Sequence, residues 1–226
     1  MVGVFMNGIL NIDKPKDWTS HDVVAKIRNH FKIKKVGHAG TLDPNATGVL
    51  LICLGKATKK ASFLTGQRKT YEGIILLGTT TDTQDIKGKI IKKIKVEKID
   101  AELLSSILED LTGDISQIPP MYSAVHYKGE RLYKLARKGI KVDPEPRKVH
   151  IYSIELLGIN LPEISIRVAC SKGTYIRTLA DTIGEKLGHG ACLKDLRRMQ
   201  VGDFDIKDSL SLKNVLAAKD LGDIPV

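Results

Sequence analysis

Apolar residues recur along this chain with two different periods, and the alternation between them outlines its elements. Gly8-Ile9-Leu10-Asn11-Ile12-Asp13-Lys14-Pro15 reads as a short strand running into a turn at Lys14-Pro15. Val23, Val24, Ile27 and Phe31 then follow at helical spacing, which predicts a helix with one buried face, opened by Thr19 or Ser20 as its cap. Val49-Leu50-Leu51-Ile52-Cys53-Leu54 is an apolar run of strand length that Gly55 ends, and Lys56 to Leu64 predicts a second helix. Lys69 to Gly78 reads as a strand, Thr79 to Gly88 as a turn-rich connection, and Lys89 to Val96 as a strand with lysines alternating along it. Together these make a β-meander with polar residues on one face. Ile99 to Leu111 returns to helical spacing, with Gly113 placed as a stop.

The texture changes between Ile115 and Lys148. Ile118-Pro119-Pro120, three tyrosines, His126 and a crowd of basic residues (Lys128, Arg131, Lys134, Arg137, Lys138, Lys141, Arg147, Lys148) interleave there, fenced by Pro119, Pro120, Pro144 and Pro146. Too few aliphatic residues are present to bury such a segment, so an arm or lid fits better than core, with a short helix over Gly129 to Lys138. An ordinary solvated loop is the plainer alternative. Val149 to Leu156 and Ile164 to Cys170 are strands again. Ser171 to Arg177 leads into a helix whose apolar face is Ile176, Leu179, Ala180, Ile183 and Leu187, and Leu212 to Ala218 predicts a last short helix. Neither an internal repeat nor an obvious linker divides the chain, which predicts one domain spanning 1–226 with an arm inserted at 115–148.

Composition narrows the function classes. No stretch approaches the ~18 apolar residues that span a bilayer. Met1 to Leu10 has neither a charged leader nor a small-residue cleavage site, so a cytoplasmic location is expected. Cys53, Cys170 and Cys192 form no Cys-x-x-Cys pair and no metal-spaced cluster with histidine, which predicts three reduced thiols and no metal. The net charge of +10 points to a polyanionic partner. Without a long basic amphipathic helix or a lipidation motif, nucleic acid leads over a membrane surface.

One stretch looks chemically built. In Val36-Gly37-His38-Ala39-Gly40-Thr41-Leu42-Asp43-Pro44-Asn45-Ala46-Thr47-Gly48, glycines and a proline bracket a single carboxylate, and Asp43 is the only acid between Asp22 and Glu72. Glycines permit positive φ and close approach to a ligand, while Pro44 restricts Asp43 to extended backbone. Such an isolated acid in a basic neighbourhood suits a nucleophile or a general base. A surface turn in which Asp43 satisfies its own backbone would use the same residues. Arg177 sits in the first turn of its predicted helix, where a cation is unfavourable unless a carboxylate or phosphate lies opposite it.

Four separated pieces, Lys14-Pro15, Gly40-Thr41-Leu42-Asp43-Pro44 with Ala46-Thr47-Gly48, Tyr71 in its strand, and Gly173-Thr174-Tyr175-Ile176-Arg177, together resemble the TruB family of tRNA pseudouridine synthases. Ile118-Pro119-Pro120-Met121-Tyr122-Ser123-Ala124 and Leu196-Arg197-Arg198 extend the likeness over nearly the whole chain in order. The resemblance implies an α+β pseudouridine synthase catalytic fold, with a mixed central β-sheet, flanking helices and an RNA-binding thumb arm. It implies an isomerase that detaches uracil from ribose in RNA and rejoins it through carbon 5, the usual target being the uridine at position 55 of the tRNA T loop. By the same likeness Asp43 is the catalytic aspartate and Arg177 its partner. Tyr71 stacks on the target base, Tyr175 and Leu196 line the uracil pocket, and His38 fills or props the stack that the extruded base leaves. Lys14-Pro15 would brace the active loop, and Asp85 would at least order the Thr79 to Gly88 turn. Isomerisation is redox-neutral and transfers no group, so no cofactor or metal is required. Family members commonly continue into a small PUA-type module; this sequence ends at Val226, which favours a stand-alone bacterial-type enzyme without an obligate protein partner. A non-catalytic tRNA-binding or folding factor is the rival from another class, and Asp43 beside Arg177 argues against it.

Overall fold

The computed structural model describes residues 7–224, so part of the Met1 to Leu10 segment lies outside it. Along the chain the elements are β1 (Gly8–Lys14), α1 (Ser20–His30), β2 (Val36–Ala39), β3 (Thr47–Leu54), a 3-10 turn (Gly55–Lys60), α2 (Ala61–Gly66), β4 (Lys69–Leu77), β5 (Thr79–Thr81), β6 (Ile90–Lys93), α3 (Ala101–Asp110) and β7 (Gly113–Gln117). They continue as β8 (His126–Tyr127), β9 (Glu130–Arg131), α4 (Leu132–Arg137), β10 (Arg147–Asn160), β11 (Glu163–Cys170), α5 (Ile176–Lys186), β12 (Ala191–Val201), β13 (Phe204–Asp205), β14 (Leu210–Ser211) and α6 (Leu212–Ala217). The chain forms two compact units, residues 1–71 with 196–226, and residues 72–195. Strands β4 and β12 each begin in one unit and end in the other.

In the first unit β3 is the central strand, and burial of all but its first residue explains why it reads as an unbroken apolar run. β1 pairs along it antiparallel, from Gly8 opposite Leu54 to Lys14 opposite Gly48, and β14 joins β1 in parallel. The other edge of β3 is shared. β2 takes it antiparallel from Val36 opposite Leu54 to Ala39 opposite Leu51, and the end of β12 takes it in parallel at Thr47 and Gly48. The sheet is therefore mixed, and residues 40–46 leave it where one neighbour of β3 hands over to the next. Ala39, Val49, Leu51, Cys53, Leu64 and Val201 pack together as one core cluster. Helix α1 turns Val23, Val24 and Ile27 inward and is opened by a capping box, in which Asp22 donates its amide to Thr19 Oγ1 at 3.0 Å and Thr19 donates its own to the Asp22 carboxylate at 2.8 Å.

In the second unit the strands run β4-β11-β10-β7, and helices α3 and α5 pack against each other. The burial along β4 alternates strictly, but β4 pairs with β11 while β5 pairs with β6 in a separate two-stranded sheet, so the expected meander over Lys69 to Val96 does not form. Gly184 on α5 is a close approach, since a Cβ there would lie 2.4 Å from the Ala191 nitrogen.

Four expected elements differ in detail. The helix over Lys56 to Leu64 is a 3-10 turn followed by α2, because Lys56, Thr58, Lys59 and Lys60 supply no apolar stripe to sustain regular α spacing. The strand over Lys89 to Val96 shrinks to β6, which pairs only with β5 and is exposed at all four positions, so its lysine alternation marks no buried face. The helix over Gly129 to Lys138 is the shorter α4, preceded by the small β8–β9 hairpin. At the borders of the arm, 115–117 and 147–148 are sheet residues: Ile115 pairs with Val149, Ser116 with Lys148 and Gln117 with Arg147. The arm proper is 118–146, anchored by buried Pro119, Pro120, Ser123, Leu132 and Pro144, with its basic side chains exposed. The three cysteines are buried and free.

Candidate active site

Asp43 opens a tight turn in the 40–46 loop, with the Ala46 amide donating to the Asp43 carbonyl at 3.0 Å. The turn is braced from below by Lys14. That side chain is fully buried, and its three donors are spent on the carbonyls of Trp18 at 2.6 Å, Pro15 at 2.9 Å and Pro44 at 3.2 Å. Burial draws the Lys14 pKa down to about 8, against the opposing pull of the Asp43 carboxylate and then of Asp17. The Asp17 amide donates to the same Pro44 carbonyl at 2.8 Å. Lys14-Pro15 thus does the bracing that the sequence suggested, through carbonyls.

A second fastening holds the residue before Asp43. Leu42 is buried; its amide donates to Ser20 Oγ at 2.9 Å, and that hydroxyl donates back to the Leu42 carbonyl at 3.2 Å. Because Ser20 is the first residue of α1, the capped helix start fixes the loop.

The third fastening is Arg198, only 1% exposed. Its strand lies beside β3 with Arg198 opposite Gly48. Nε donates to the Val49 carbonyl at 2.7 Å and Nη2 to the Gly40 carbonyl at 3.0 Å, with the Thr41 carbonyl 3.5 Å from Nη1. The guanidinium fills the space that opens where β2 and β3 part. Gly48, at φ +100°, admits this approach: a Cβ there would lie 2.2 Å from the Arg198 carbonyl oxygen. Gly40, at φ +85°, begins the loop. Arg197 faces elsewhere, donating to the Asp13 carboxylate at 2.7 Å.

His38 sits on β2, half-buried, with its ring edge-on to His21 at 5.0 Å between centroids. Nδ1 is buried without a hydrogen-bond partner. Burial first, then the nearby His21 and Arg198, lowers its pKa to about 4, so the ring is neutral at pH 7. Tyr71 occupies a buried position of β4 and Leu196 a half-buried one of β12. Asp43, His38, Tyr71 and Leu196 therefore belong to the first unit.

Tyr175 and Arg177 belong to the second, at the start of α5. The Tyr175 amide donates to Gln117 Oε1 at 3.0 Å, and Gln117 Nε2 donates to the Tyr175 carbonyl at 3.3 Å, which ties this end of the helix to the last residue of β7. Arg177 is buried. It donates to the carbonyls of Thr83 at 3.0 Å and Tyr122 at 3.1 Å, and stands 3.8 Å from the Asp85 carboxylate. Within this unit Asp85 answers the expectation of an anion near the helix start. Asp85 also orders its turn as expected, accepting from Thr83 Oγ1 at 2.8 Å and the Lys87 amide at 3.0 Å. Gln84 docks the turn on α5 through Asp181 at 2.7 Å and Thr178 at 2.9 Å.

Sequence reasoning gave Arg198 no role, and read Ser20 only as a candidate helix cap and Gly48 only as one of the glycines that permit positive φ. No side-chain pattern around Arg198 singles it out, because its partners are backbone carbonyls. Among the described residues no group of three or more histidine, cysteine or acidic side chains is placed to hold a metal ion. No described helix is long and apolar enough to cross a membrane.

The model of the TruB family pseudouridylate synthase N-terminal domain matches residues 28–176, and that of the tRNA pseudouridylate synthase B C-terminal domain matches 177–223. The chain belongs to the TruB family of pseudouridylate synthases. It is 51% identical over 210 residues to tRNA pseudouridine synthase B of Clostridium tetani (strain Massachusetts / E88), covering 93% of this chain and 73% of that protein. The same named enzyme of Geobacillus thermodenitrificans (strain NG80-2) is 51% identical over 217 residues, covering 93% and 72%. Among solved structures, a chain of a Cbf5-Nop10-Gar1 complex superposes with TM-score 0.74 at 31% identity over 93% of this chain. This chain spans only 54% of that longer one. Membership makes the chain an RNA pseudouridine synthase, an isomerase with an α+β fold, as the sequence implied.

Proposed function

We propose that this synthase isomerises the T-loop uridine at position 55 of tRNA to pseudouridine, with Asp43 as the catalytic nucleophile. The observation that carries the reading is the Asp43 turn itself, a polar loop clamped by a buried lysine, a buried arginine and a helix-capping segment. Three rigid fastenings on one short loop exceed what packing needs and suit a reacting group that must stay in place. The relatives named above as tRNA pseudouridine synthase B support tRNA as the substrate. His38, Tyr71, Tyr175, Arg177 and Leu196 bind the substrate: Tyr71 offers an aromatic face for the target base, Tyr175 and Leu196 apolar walls, and neutral His38 an uncharged ring for the vacated stack. The arm at 118–146 presents its exposed lysines and arginines to phosphates and acts as the thumb.

The test puts wild type and Asp43→Asn on an unmodified tRNA transcript, maps pseudouridine, and measures binding in parallel. Modification of the T-loop uridine by wild type alone, with binding by both, is the expected outcome. Modification of an rRNA hairpin but not of a T stem-loop would overturn the substrate; full activity of Asp43→Asn would overturn the nucleophile.

A further inference from the structure

The lysine-rich stretch from Lys87 to Lys98 enters the site above only through the Lys87 amide on Asp85. It holds six lysines, Lys87, Lys89, Lys92, Lys93, Lys95 and Lys98, against a single acid, Glu97, which pairs with Lys95 at 2.6 Å. All six are exposed. Their backbone is nonetheless firmly held at both ends. At one end the Lys89 amide donates to the Asp82 carboxylate at 2.7 Å and the Gly88 amide to the Asp85 carbonyl at 3.1 Å, and Gly88 lies so close to Thr83 that a Cβ would meet its hydroxyl at 2.2 Å. At the other end the Ile94 amide donates to the Gly78 carbonyl at 2.7 Å, and Val96 is buried. In between, β6 pairs with β5 from Thr79 opposite Lys93 to Thr81 opposite Ile90.

The turn that grips Lys89 is the turn that holds Arg177, through the Thr83 carbonyl and Asp85. A run of exposed lysines on a held backbone therefore begins within a few residues of the turn that seats Arg177. On a strand successive side chains point to opposite faces, so Lys92 and Lys93 flank the exposed β6 on its two sides, with Lys89 just before it, and together they surround this edge with point charges. Point charges without a base-reading fork or an aromatic platform suit phosphates rather than bases. Guarding an edge strand against self-association is the competing use of lysine on β6, but it does not account for Lys87 and Lys89, which lie before the strand.

We propose that Lys89, Lys92 and Lys93 form a phosphate-binding rail for the RNA backbone that runs out from the loop holding Arg177. The inference rests on the proposed RNA substrate and deepens it. Each phosphate that is no longer neutralised lowers the slope of log affinity against log salt by roughly 0.7 to 0.9. Lys92→Gln/Lys93→Gln should thus flatten the slope by about 1.5 and weaken RNA binding roughly tenfold at low salt, while maximal turnover at saturating RNA stays at the wild-type value. Lys213→Gln/Lys219→Gln removes the same charge elsewhere and should leave the slope near wild type. Should the strand variant self-associate, Lys89→Gln, which lies before the strand, carries the test with a slope change of about 0.8. Wild-type slopes in the rail variants, or equal flattening in the Lys213/Lys219 control, would overturn the rail. Absence of any RNA binding or modification by wild type would instead overturn the proposed function, so the two failures are distinguishable.

Discussion

Replacing Arg198 by methionine keeps an unbranched side chain of similar reach and removes every donor. Two of its hydrogen bonds are short, 2.7 Å to the Val49 carbonyl and 3.0 Å to the Gly40 carbonyl, and the third, at 3.5 Å, is too long to count. Hydrogen bonds from a charged donor contribute about 1.5–3 kcal/mol each, so the loss amounts to about 3–6 kcal/mol. Freeing the protein from burying a guanidinium returns part of that. A net destabilisation of about 2–4 kcal/mol is expected, a large share of the roughly 5–15 kcal/mol typical of a folded domain. Urea unfolding of wild type, Arg198→Met and Arg198→Lys measures it. The lysine variant keeps the charge but not the planar fork that reaches two carbonyls on different segments, so it should recover little. Turnover should fall in both variants beyond what the unfolded fraction explains, because Gly40 opens the Asp43 loop. An Arg198→Met enzyme within about 0.5 kcal/mol of wild type would refute the reasoning, since water would then be satisfying those carbonyls as well as the arginine does.

Three further outcomes follow from the same loop. His38 has its pKa lowered to about 4 against 6.5 in the unfolded chain, so between these values the unfolded state binds the extra proton: the stability His38 confers is complete above about pH 6.5 and is lost as the pH falls through 4, and in His38→Gln the unfolding free energy should depend less steeply on pH across that window. Lys14, near 8, feels Asp43 as the first of the influences raising its pKa, so in Asp43→Asn the side-chain carbon resonance of Lys14 should titrate lower than in wild type; an unchanged midpoint would mean that the two groups do not interact. Gly48→Ala places a Cβ 2.2 Å from the Arg198 carbonyl oxygen at φ +100° and should yield misfolded protein or one destabilised by about 3 kcal/mol or more in thermal unfolding, whereas Gly8→Ala, with open space around it, should melt with wild type.

Periodicity read most of the fold because burial enforces it. Strand β4 alternates in burial, β3 is buried on both faces, and α1 shows its stripe and its cap in the sequence. Reading failed where exposure removes that constraint. β6 exposes every position, so the alternation of its lysines reports charge placement and not a face, and the 3-10 turn at Gly55–Lys60 is too polar to declare its geometry. The arm's borders were misjudged because pairing between β7 and β10 reaches across some thirty residues of chain, a register that local composition does not encode. The residues of the Asp43 loop were conspicuous through their glycines, proline and lone acid, yet of the side chains that hold the loop only Lys14 was signalled, and that through the family resemblance. Ser20 looks like any helix-opening serine, and Arg198 like the second of two surface arginines.

That blindness has a physical origin. Three buried cations of the first unit donate to backbone carbonyls: Lys14 to those of Pro15, Trp18 and Pro44, Arg198 to those of Val49 and Gly40, and Lys69, away from the loop, to those of Thr65 and Gln67. A carbonyl is present at every residue, so no side-chain pattern announces such a partner, whereas a buried ion pair would show two complementary letters. The arrangement also differs in what it does. A carboxylate partner could swing away with its own side chain, but a carbonyl moves only with the main chain, so Lys14 fixes the backbone just after Asp43, at Pro44, and Arg198 fixes it before and after, at Gly40 and Val49. The loop then needs no regular secondary structure to be rigid, and Asp43 can stand outside any ladder while its backbone is held as the proposed nucleophile requires.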